Sequence, residues 1–278
     1  MALNVHLRST TVDVVVDVAS GVPVIRHWGA PLGSDDQVPD EPRILLGGID
    51  AMPPVSVVPM HGDGFPGRPG LAGHRRGGRH WAPRFEYSSH ECSGLDDRTE
   101  LRCSAIDRVA ELGLDTTLTL SDDGVLTVRA TVVNSGDTPF MLDSFSVSLP
   151  LPAVAAELAV FGGRWAHEFE LHRFAWPYGA WTSENRTGRT SHEHPPFVWA
   201  MSADAGEWSG AVWGAHVAWS GNHVLYAERL ADGRRYLQLG ALFHPGEMCV
   251  YAGESLSTPD VIGVHSSAGF TRASQSFH

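Results

Sequence analysis

Cysteine is scarce in this chain. Three cysteines occur among 278 residues, Cys92, Cys103 and Cys249, and none of them forms a C-x-x-C pair. So small and odd a number excludes a disulfide scaffold, and the spacing is not that of a zinc site. Cys92 and Cys103 could face each other across a hairpin, but the sequence favours reduced, buried thiols.

Charge is also low, and its balance is negative. Charged residues make up 19% of the chain, and the formal net charge is -12. Nucleic acid and anionic membranes bind clustered basic side chains, so neither is an expected partner. No apolar run approaches the roughly 20 residues that cross a bilayer. The N-terminus alternates polar and apolar residues and lacks the pattern of a signal peptide. We therefore expect a cytoplasmic protein.

The sequence lacks the short motifs of common catalytic machinery. It has no G-x-S-x-G, no H-E-x-x-H, no phosphate loop, and no G-x-G-x-x-G that follows a strand and opens a helix. The paired acids Asp35-Asp36, Asp96-Asp97 and Asp122-Asp123 lie in hydrophilic segments typical of solvated turns. Glycoside hydrolysis needs its two carboxyls on either side of the scissile bond, and such turns do not indicate that arrangement. We predict no catalytic residue, no cofactor and no metal ligand in this chain.

Glycine and proline are abundant, with 30 and 18 residues, and they separate short alternating runs. In residues 125–133, VLTVRATVV, apolar side chains at every second position indicate a strand with one buried face. Similar runs recur along the chain, with turn signals at 93–94, 122–124 and 134–137. The pattern predicts an all-β fold, a large two-sheet antiparallel β-sandwich.

Two segments depart from this pattern. Residues 267–278, SAGFTRASQSFH, predict a short C-terminal helix that needs a packing partner. Residues 29–78 are rich in Gly, Pro, Asp and Arg, which predicts a long loop that is functional or docked on a partner. We therefore divide the chain into a β-domain, 1–266, and the start of a helical segment, 267–278.

Residues 161–197 concentrate three Trp, four His and four Arg. Sugar C–H faces stack on aromatic rings and sugar hydroxyls need fixed polar partners, so this density indicates a sugar site, with Trp176 and Trp181 as stacking rings. The same segment also fits a long excursion between strands that closes the edge of the sandwich.

The polar residues near the end of this stretch allow other chemistry. His192 and His194 could hold a metal only with a third ligand, and the prolines that follow argue against it. Arg186 and Arg189 could cradle an anion, but the sequence favours their anchoring the loop to acidic neighbours.

Residues 61–71, HGDGFPGRPGL, form the second candidate site. Glycines at 62, 64, 67 and 70 permit positive φ angles, so a tight loop could display Asp63, Phe65 and Arg68 to a ligand. A surface turn with no binding role is the alternative.

An ordered set of segments resembles the N-terminal β-supersandwich domain of glycoside hydrolase family 36, the bacterial α-galactosidases, a galactose-mutarotase-like fold. The similar segments are W-G-x-x-L at 28–32, the Gly-rich loop at 59–71, N-x-G-D at 134–137, G-R-W-x-x-E at 163–168, R-x-S-H with P-F at 189–197, S-G-N at 220–222, Q-L-G at 238–240, and the tail at 259–264 and 274–278. Pro195 stands where Asn is usual in the family.

The resemblance implies a function. Family members hydrolyse terminal α-galactosides with retention, and their catalytic aspartates lie in a (β/α)₈ barrel that follows the helix, so this chain is expected to be an inactive N-terminal piece. The family's domain takes part in homo-oligomers and its Gly-rich loop reaches substrate. The family's loop Asp touches the sugar, but Phe65 stands at that position in this chain, so the same carboxylate contact is not expected. Our hypothesis is that Phe65 stacks on the sugar instead, assisted by Asp63 or Arg68.

Two other functions stay open on the residues. A free-standing carbohydrate-binding module would use Trp176 and Trp181. A mutarotase-like enzyme would use His192 with Glu193, although neighbours on a strand face opposite ways.

Overall fold

A computed structural model describes residues 3–33 and 52–277. The described part contains nineteen β-strands in three antiparallel sheets and one α-helix. The Asp35-Asp36 pair, residues 34–51 of the predicted long loop, and His278 lie outside the described residues. No helix within 3–33 and 52–277 is long and apolar enough to cross a membrane.

The strands are short and follow one another with few long connections. In chain order they are β1 (Asn4–Arg8), β2 (Asp13–Asp17), β3 (Val24–Gly29), β4 (Leu71–His74), β5 (Glu86–Leu95), β6 (Arg98–Asp107), β7 (Leu112–Ser121), β8 (Leu126–Asn134), β9 (Phe140–Leu151), β10 (Glu157–Arg164), β11 (His167–Ala175), β12 (Gly179–Asn185), β13 (Phe197–Met201), β14 (Val212–Val217), β15 (His223–Arg229), β16 (Arg235–Leu242), β17 (Met248–Val250), β18 (Ser255–Ser257) and β19 (Val261–Ser266). The helix α1 is Gly269–Gln275.

Two large sheets and one small sheet make up the described part of the fold. The ten-stranded sheet has the order β11-β10-β13-β14-β19-β8-β7-β6-β5, with β18 also paired to β8. The six-stranded sheet has the order β12-β15-β16-β9-β17, with β4 paired to β9, and β1-β2-β3 form the small sheet. The predicted all-β antiparallel sandwich is confirmed, and the small third sheet is an addition that the sequence pattern did not indicate.

One apolar core joins all three sheets. It includes Leu7 and Trp28 from the small sheet, Leu114 from the ten-stranded sheet, and Val147 and Leu239 from the six-stranded sheet. In β8, the apolar positions 126, 128, 130 and 132 are completely buried, as the alternation predicted. Burial of one face of each sheet against another is what stabilises a sandwich of this kind.

The turn predicted at Ser93-Gly94 is wrong. Gly94 lies within β5 and pairs with Thr99, and the chain reverses at Asp96-Asp97 instead. The exposed face of β5 is rich in small polar residues, so in sequence it has the composition of a turn. Pairing with β6 determines where the strand ends.

The cysteines of this hairpin do not form a directly opposed pair. Cys92 lies opposite Leu101, and Cys103 lies opposite His90. Cys103 is buried, as expected, but Cys92 is exposed, which corrects the prediction for that residue. Burial raises the pKa of Cys103 to about 12, so this thiol is inert at neutral pH.

Strand β9 has partners along both sides. On one side it pairs with β16 and then with β17. On the other side it pairs with β4, beyond which the amides of Ser146 and Ser148 donate to the carbonyls of Gly70 and Val57 at 2.7 and 2.8 Å. A buried amide without a partner is costly, so the segment containing Val57 and Gly70 must lie along β9. This contact places the predicted loop 61–71 on the six-stranded sheet.

Helix α1 is short but well docked. Its first amides lack side-chain caps, and Phe270 and Thr271 donate instead to the carbonyls of Gly206 and Glu207, both at 3.0 Å. Gly269 has φ of 83°, and a Cβ there would lie 2.5 Å from a backbone oxygen of Gly206, so only glycine fits this junction. The predicted C-terminal helix is therefore present, within the predicted bounds 267–278.

A buried polar network closes the turn after β8. The side chain of Asn134 donates to the carbonyls of Thr138 and Val250, both at 2.9 Å, and accepts from the amide of Gly136 and the guanidinium of Arg75. Arg75 is itself buried. Asn134 therefore hydrogen-bonds four polar groups around this turn.

Replacing Asn134 with Ala should lower the free energy of unfolding by about 2–3 kcal/mol, because it leaves buried donors and acceptors unpaired. Urea denaturation measures the change. The matched control is Ser135→Ala, since Ser135 is the exposed neighbour in the same turn and should change stability by less than about 0.5 kcal/mol. Equal effects of the two substitutions would contradict this assignment.

Candidate functional site

The loop 61–71 begins with a single 3-10 turn, His61–Asp63, and runs into β4. Of the four glycines predicted to take positive φ, Gly64 does so, at 79°. Gly62, Gly67 and Gly70 are required for another reason, since a Cβ at each would lie within 3.0 Å of atoms packed against the loop. Three of the four glycines therefore allow the loop to pack closely against its neighbours, and Gly64 alone is needed for a positive φ.

Phe65 anchors the loop to the domain. Its side chain is 3% exposed and forms a small cluster with Val55, Leu230 and Tyr236. The Phe65 and Tyr236 rings meet edge to face, with centroids 5.7 Å apart. Such a ring offers no free face to a sugar, so the arrangement does not support the stacking role expected of Phe65. Its role in this structure is to hold the loop.

The backbone of Arg68 is attached to β15 and β16. Its amide donates to the Tyr236 hydroxyl at 3.2 Å. The same hydroxyl donates to the carboxylate of Glu228. Burial, followed by the hydrogen bond to Glu228, raises the pKa of Tyr236, so the hydroxyl remains a donor. Gln238 completes the attachment by donating to the carbonyl of Pro69 at 3.1 Å.

The guanidinium of Arg68 lies over the Tyr226 ring, with its central carbon 3.7 Å from the ring centroid. It also donates to the Tyr226 hydroxyl at 2.8 Å. Arg68 is exposed while Tyr226 is buried. The stacked guanidinium is therefore held in one orientation with donors remaining for a ligand.

Asp63 lies at the other end of the loop. Its carboxylate is 3.6 Å from Nε of Arg84. Burial raises the pKa of Asp63, and the charge of Arg84 opposes that shift. Beside this pair, Trp81 is 62% exposed and its ring centroid is 6.2 Å from that of His61. A carboxylate, a guanidinium and an exposed indole are the groups from which sugar sites are built.

The structure does not bring the three predicted residues together as one constellation. Asp63 contacts Arg84, Phe65 contacts Tyr236, and Arg68 contacts Tyr226. Sequence reasoning missed Trp81, Tyr226 and Tyr236. Two signals in the sequence pointed to Tyr236. The Q-L-G motif lies beside it, and a strand that buries Tyr and Gln needs polar partners across the sheet.

The stretch 161–197 is not one long excursion, because it contains the end of β10 together with β11 and β12. Trp176 is 5% exposed and belongs to the core, and the Trp181 ring packs 6.2 Å from that of Phe174. The interpretation of this pair as a sugar platform is wrong, because Trp176 is buried and cannot stack on a ligand, which leaves only the half-buried Trp181.

The polar residues of the same stretch are dispersed. Arg186 pairs with Glu184 at 2.7 Å, which confirms its predicted anchoring role. His192, Glu193 and His194 are exposed and lie outside the strands. Within residues 3–33 and 52–277, no group of three His, Cys, Asp or Glu side chains is placed to hold a metal ion.

A broad apolar cleft lies beside helix α1. Its volume is about 960 Å³. The aromatic and aliphatic residues that line it are Phe161, Phe169, Leu171, Phe197, Trp199, Phe270 and Phe277. Phe169 and Leu171, on β11, are largely exposed. An exposed patch of this composition is typical of a surface that meets another protein domain.

Comparisons with known proteins agree with the fold. The chain matches the model of the glycosyl hydrolase family 36 N-terminal domain over residues 21–249. It is 34% identical over 276 residues to an α-galactosidase of Escherichia coli, covering 98% of this chain and 38% of that enzyme. It is 27% identical over 205 residues to α-galactosidase 1 of Pediococcus pentosaceus, covering 70% of this chain and 28% of that enzyme.

Solved structures give the same result. The GH36 α-galactosidase AgaA of Geobacillus stearothermophilus superposes with a TM-score of 0.88 at 22% identity, covering 99% of this chain and 42% of that chain. An α-galactosidase of Lactobacillus brevis superposes with a TM-score of 0.86 at 20% identity, covering 99% of this chain and 41% of that chain. The chain therefore spans less than half the length of these relatives.

Replacing Phe65 with Ala should lower the free energy of unfolding by about 3 kcal/mol, because it removes a buried aromatic ring from a small cluster. Chemical denaturation tests this, and limited proteolysis should show cleavage within 61–71. The control is Phe169→Ala, which removes a ring that is 61% exposed and should have little effect. A stable, protease-resistant Phe65→Ala variant would show that the ring does not hold the loop.

Proposed function

Because the chain belongs to the glycosyl hydrolase family 36 N-terminal domain family, we propose that it is the non-catalytic N-terminal domain of a retaining α-galactosidase. The observation that carries the proposal is the match to the Escherichia coli enzyme, which extends over 98% of this chain but 38% of that enzyme. In this proposal, the carboxylates that carry out hydrolysis lie in a separate catalytic domain. That domain corresponds to the part of the related enzymes that this chain does not match.

The surface beside α1 supports the proposal that a separate catalytic domain packs against this one. The cleft lined by Phe161, Phe197 and Phe277 is the apolar face on which we propose that a catalytic barrel packs. Helix α1 then forms the start of the connection between the two domains, with 1–266 as the β-domain and 267–278 as the helical segment. Burial of exposed rings such as Phe169 would contribute favourably to the contact.

We propose that the loop 61–71 helps to shape the substrate pocket. Arg68 offers a fixed guanidinium to sugar hydroxyls, and Asp63 offers a carboxylate. Trp81, which is exposed next to Asp63, replaces Phe65 as the ring that stacks on a sugar face. The α-galactoside is thus shared between this domain and the catalytic barrel, and assembly into a homo-oligomer would let the loop reach a neighbouring subunit's pocket.

The cysteines support a cytoplasmic location for the protein. Cys92, Cys103 and Cys249 are all free thiols. Free thiols persist in reducing compartments and are unusual in secreted proteins.

The proposal expects the 278-residue chain alone to leave p-nitrophenyl α-galactoside intact, because it contributes no acid/base carboxylate pair. The same chain followed by a family 36 catalytic domain should hydrolyse that substrate, and proton NMR should detect α-galactose as the first product. p-Nitrophenyl β-galactoside is the control and should not react. Hydrolysis by the 278-residue chain alone would contradict the proposal.

Within the active two-domain protein, Asp63→Asn and Arg68→Gln should each raise KM for raffinose about 5- to 20-fold, as expected for the loss of a hydrogen bond to substrate. The thermal midpoint should change little, because both side chains are exposed. Asp96→Asn and Arg98→Gln are matched controls on exposed positions at the tip of the β5–β6 hairpin. Unchanged KM in both loop variants would remove the loop from the substrate pocket.

A further inference from the structure

A second cavity lies away from the loop 61–71. It is bounded by the edge of β3, the turn between β15 and β16, and residues of β14 and β19, and its volume is about 660 Å³. That volume is in the range of small-molecule sites. None of its lining residues belongs to the loop 61–71, so the cavity is distinct from the proposed substrate surface.

Most of the cavity wall is apolar. The main apolar contributors are Ile25, Val55, Leu151 and Trp213, all of which are buried in the structure. Walls of this kind favour an aliphatic or aromatic body over water.

Four buried side-chain nitrogens in the same lining lack a hydrogen-bond partner: Trp28 Nε1, Arg234 Nη2, Arg235 Nε and His265 Nδ1. The indole Nε1 of Trp28 is inaccessible to solvent and makes no hydrogen bond, and the same is true of Nε of Arg235. Leaving such groups unpaired is costly, and most buried donors in proteins have a partner. Solvent does not reach Nε1 of Trp28 or Nε of Arg235, so a ligand in the cavity meets instead the remainder of the Arg235 side chain, which is half-buried in the lining.

The lining also carries one cation without a carboxylate. Arg234 is paired with Asp232 at 2.7 Å, and Arg26 has partners of its own. Arg235 donates only to the carbonyls of Ala153 and Ala155. No carboxylate in residues 3–33 or 52–277 lies within ion-pair distance of Arg235, although the chain as a whole carries a net charge of -12. The local excess of positive charge favours an anion.

His265 leaves this balance unchanged near neutral pH. It lines the cavity against Trp213, with ring centroids 4.7 Å apart. Burial, helped by nearby His27 and opposed by a hydrogen bond to Val212, lowers the pKa of His265 to about 4. The ring is therefore neutral at pH 7 and adds no positive charge.

We propose that this cavity binds a small monocarboxylate carried on an apolar body. The carboxylate pairs with the guanidinium of Arg235, and the apolar body occupies the wall formed by Ile25, Val55 and Leu151. The site is separate from α-galactoside hydrolysis, so its test does not depend on activity of the enzyme.

Sodium octanoate is the probe, and 1-octanol is the neutral comparator with the same chain length. Titration of the 278-residue chain, followed by ¹⁵N–¹H NMR, should shift the indole N–H resonance of Trp28 with octanoate. Octanol should bind about 10-fold or more weakly, because it lacks the charge that pairs with Arg235. Octanol binding as tightly as octanoate would overturn the role of the anion. So would an unshifted indole at about 10 mM octanoate, well above the Kd expected of even a weak site.

Variants test the named cation. Arg235→Gln should weaken octanoate about 10-fold or more, because it removes the charge that pairs with the carboxylate. Arg229→Gln is the matched control, since Arg229 is the cross-strand neighbour of Arg235 but is not in the cavity lining. It should change binding less than about 2-fold. Equal losses in Arg229→Gln and Arg235→Gln would show a general charge effect and overturn the site.

Folding and selectivity controls complete the experiment. Circular dichroism melts show whether each variant folds. If Arg235→Gln does not fold, the ratio of octanoate to octanol affinity in the unmodified chain still decides the role of the charge. Galactose and raffinose should leave the Trp28 indole unshifted, and a shift with either sugar would replace the monocarboxylate with a saccharide and overturn the proposal.

Discussion

The arrangement of this domain depends on the need of strand β9 for hydrogen-bond partners on both sides. Buried amides are rarely left unpaired, and β9 lies within the six-stranded sheet. Beyond the end of β4, the carbonyls of Gly70 and Val57 take over as partners of Ser146 and Ser148. That requirement draws the segment before β4 along the sheet and determines where the loop 61–71 lies.

The loop is then rigid for reasons that its composition did not reveal. Phe65 is buried against Tyr236, the amide of Arg68 is bound by the Tyr236 hydroxyl, and Gln238 holds the carbonyl of Pro69. Side chains on such a support are pre-organised, which reduces the entropy lost when a ligand binds. Arg68 and Asp63 are consequently well placed for the contribution to a sugar pocket that we propose.

Satisfied and unsatisfied polar groups distinguish two regions of the molecule. Around Asn134, the buried polar side-chain atoms of Asn134 and Arg75 find partners within the chain. In the cavity by β3, Trp28 and Arg235 retain buried donors without partners. The first arrangement stabilises the fold, and the apolar cavity, with an Arg235 that has no carboxylate partner, is the basis for proposing a ligand.

Local patterns anticipated the elements whose signal is local. The alternation in β8, the turn after it at 134–137, and helix α1 were predictable because periodicity and turn residues indicate them directly. The turn at Ser93-Gly94 failed, because small polar residues suit both a turn and an exposed edge strand. The prediction of Trp176 as a sugar-binding ring failed for a related reason. The sequence around an aromatic side chain does not show which residues will cover it in the folded protein.

The sequence by itself determined the all-β class, the family and the identity of the Gly-rich loop, since these follow from periodicity, composition and ordered motifs. Only the tertiary structure decided which side chains of that loop are available. Phe65 is covered while Arg68 and Trp81 are exposed, because strands distant in sequence, β15 and β16, supply the surface on which the loop packs. Burial depends on such long-range contacts, and no local pattern encodes them.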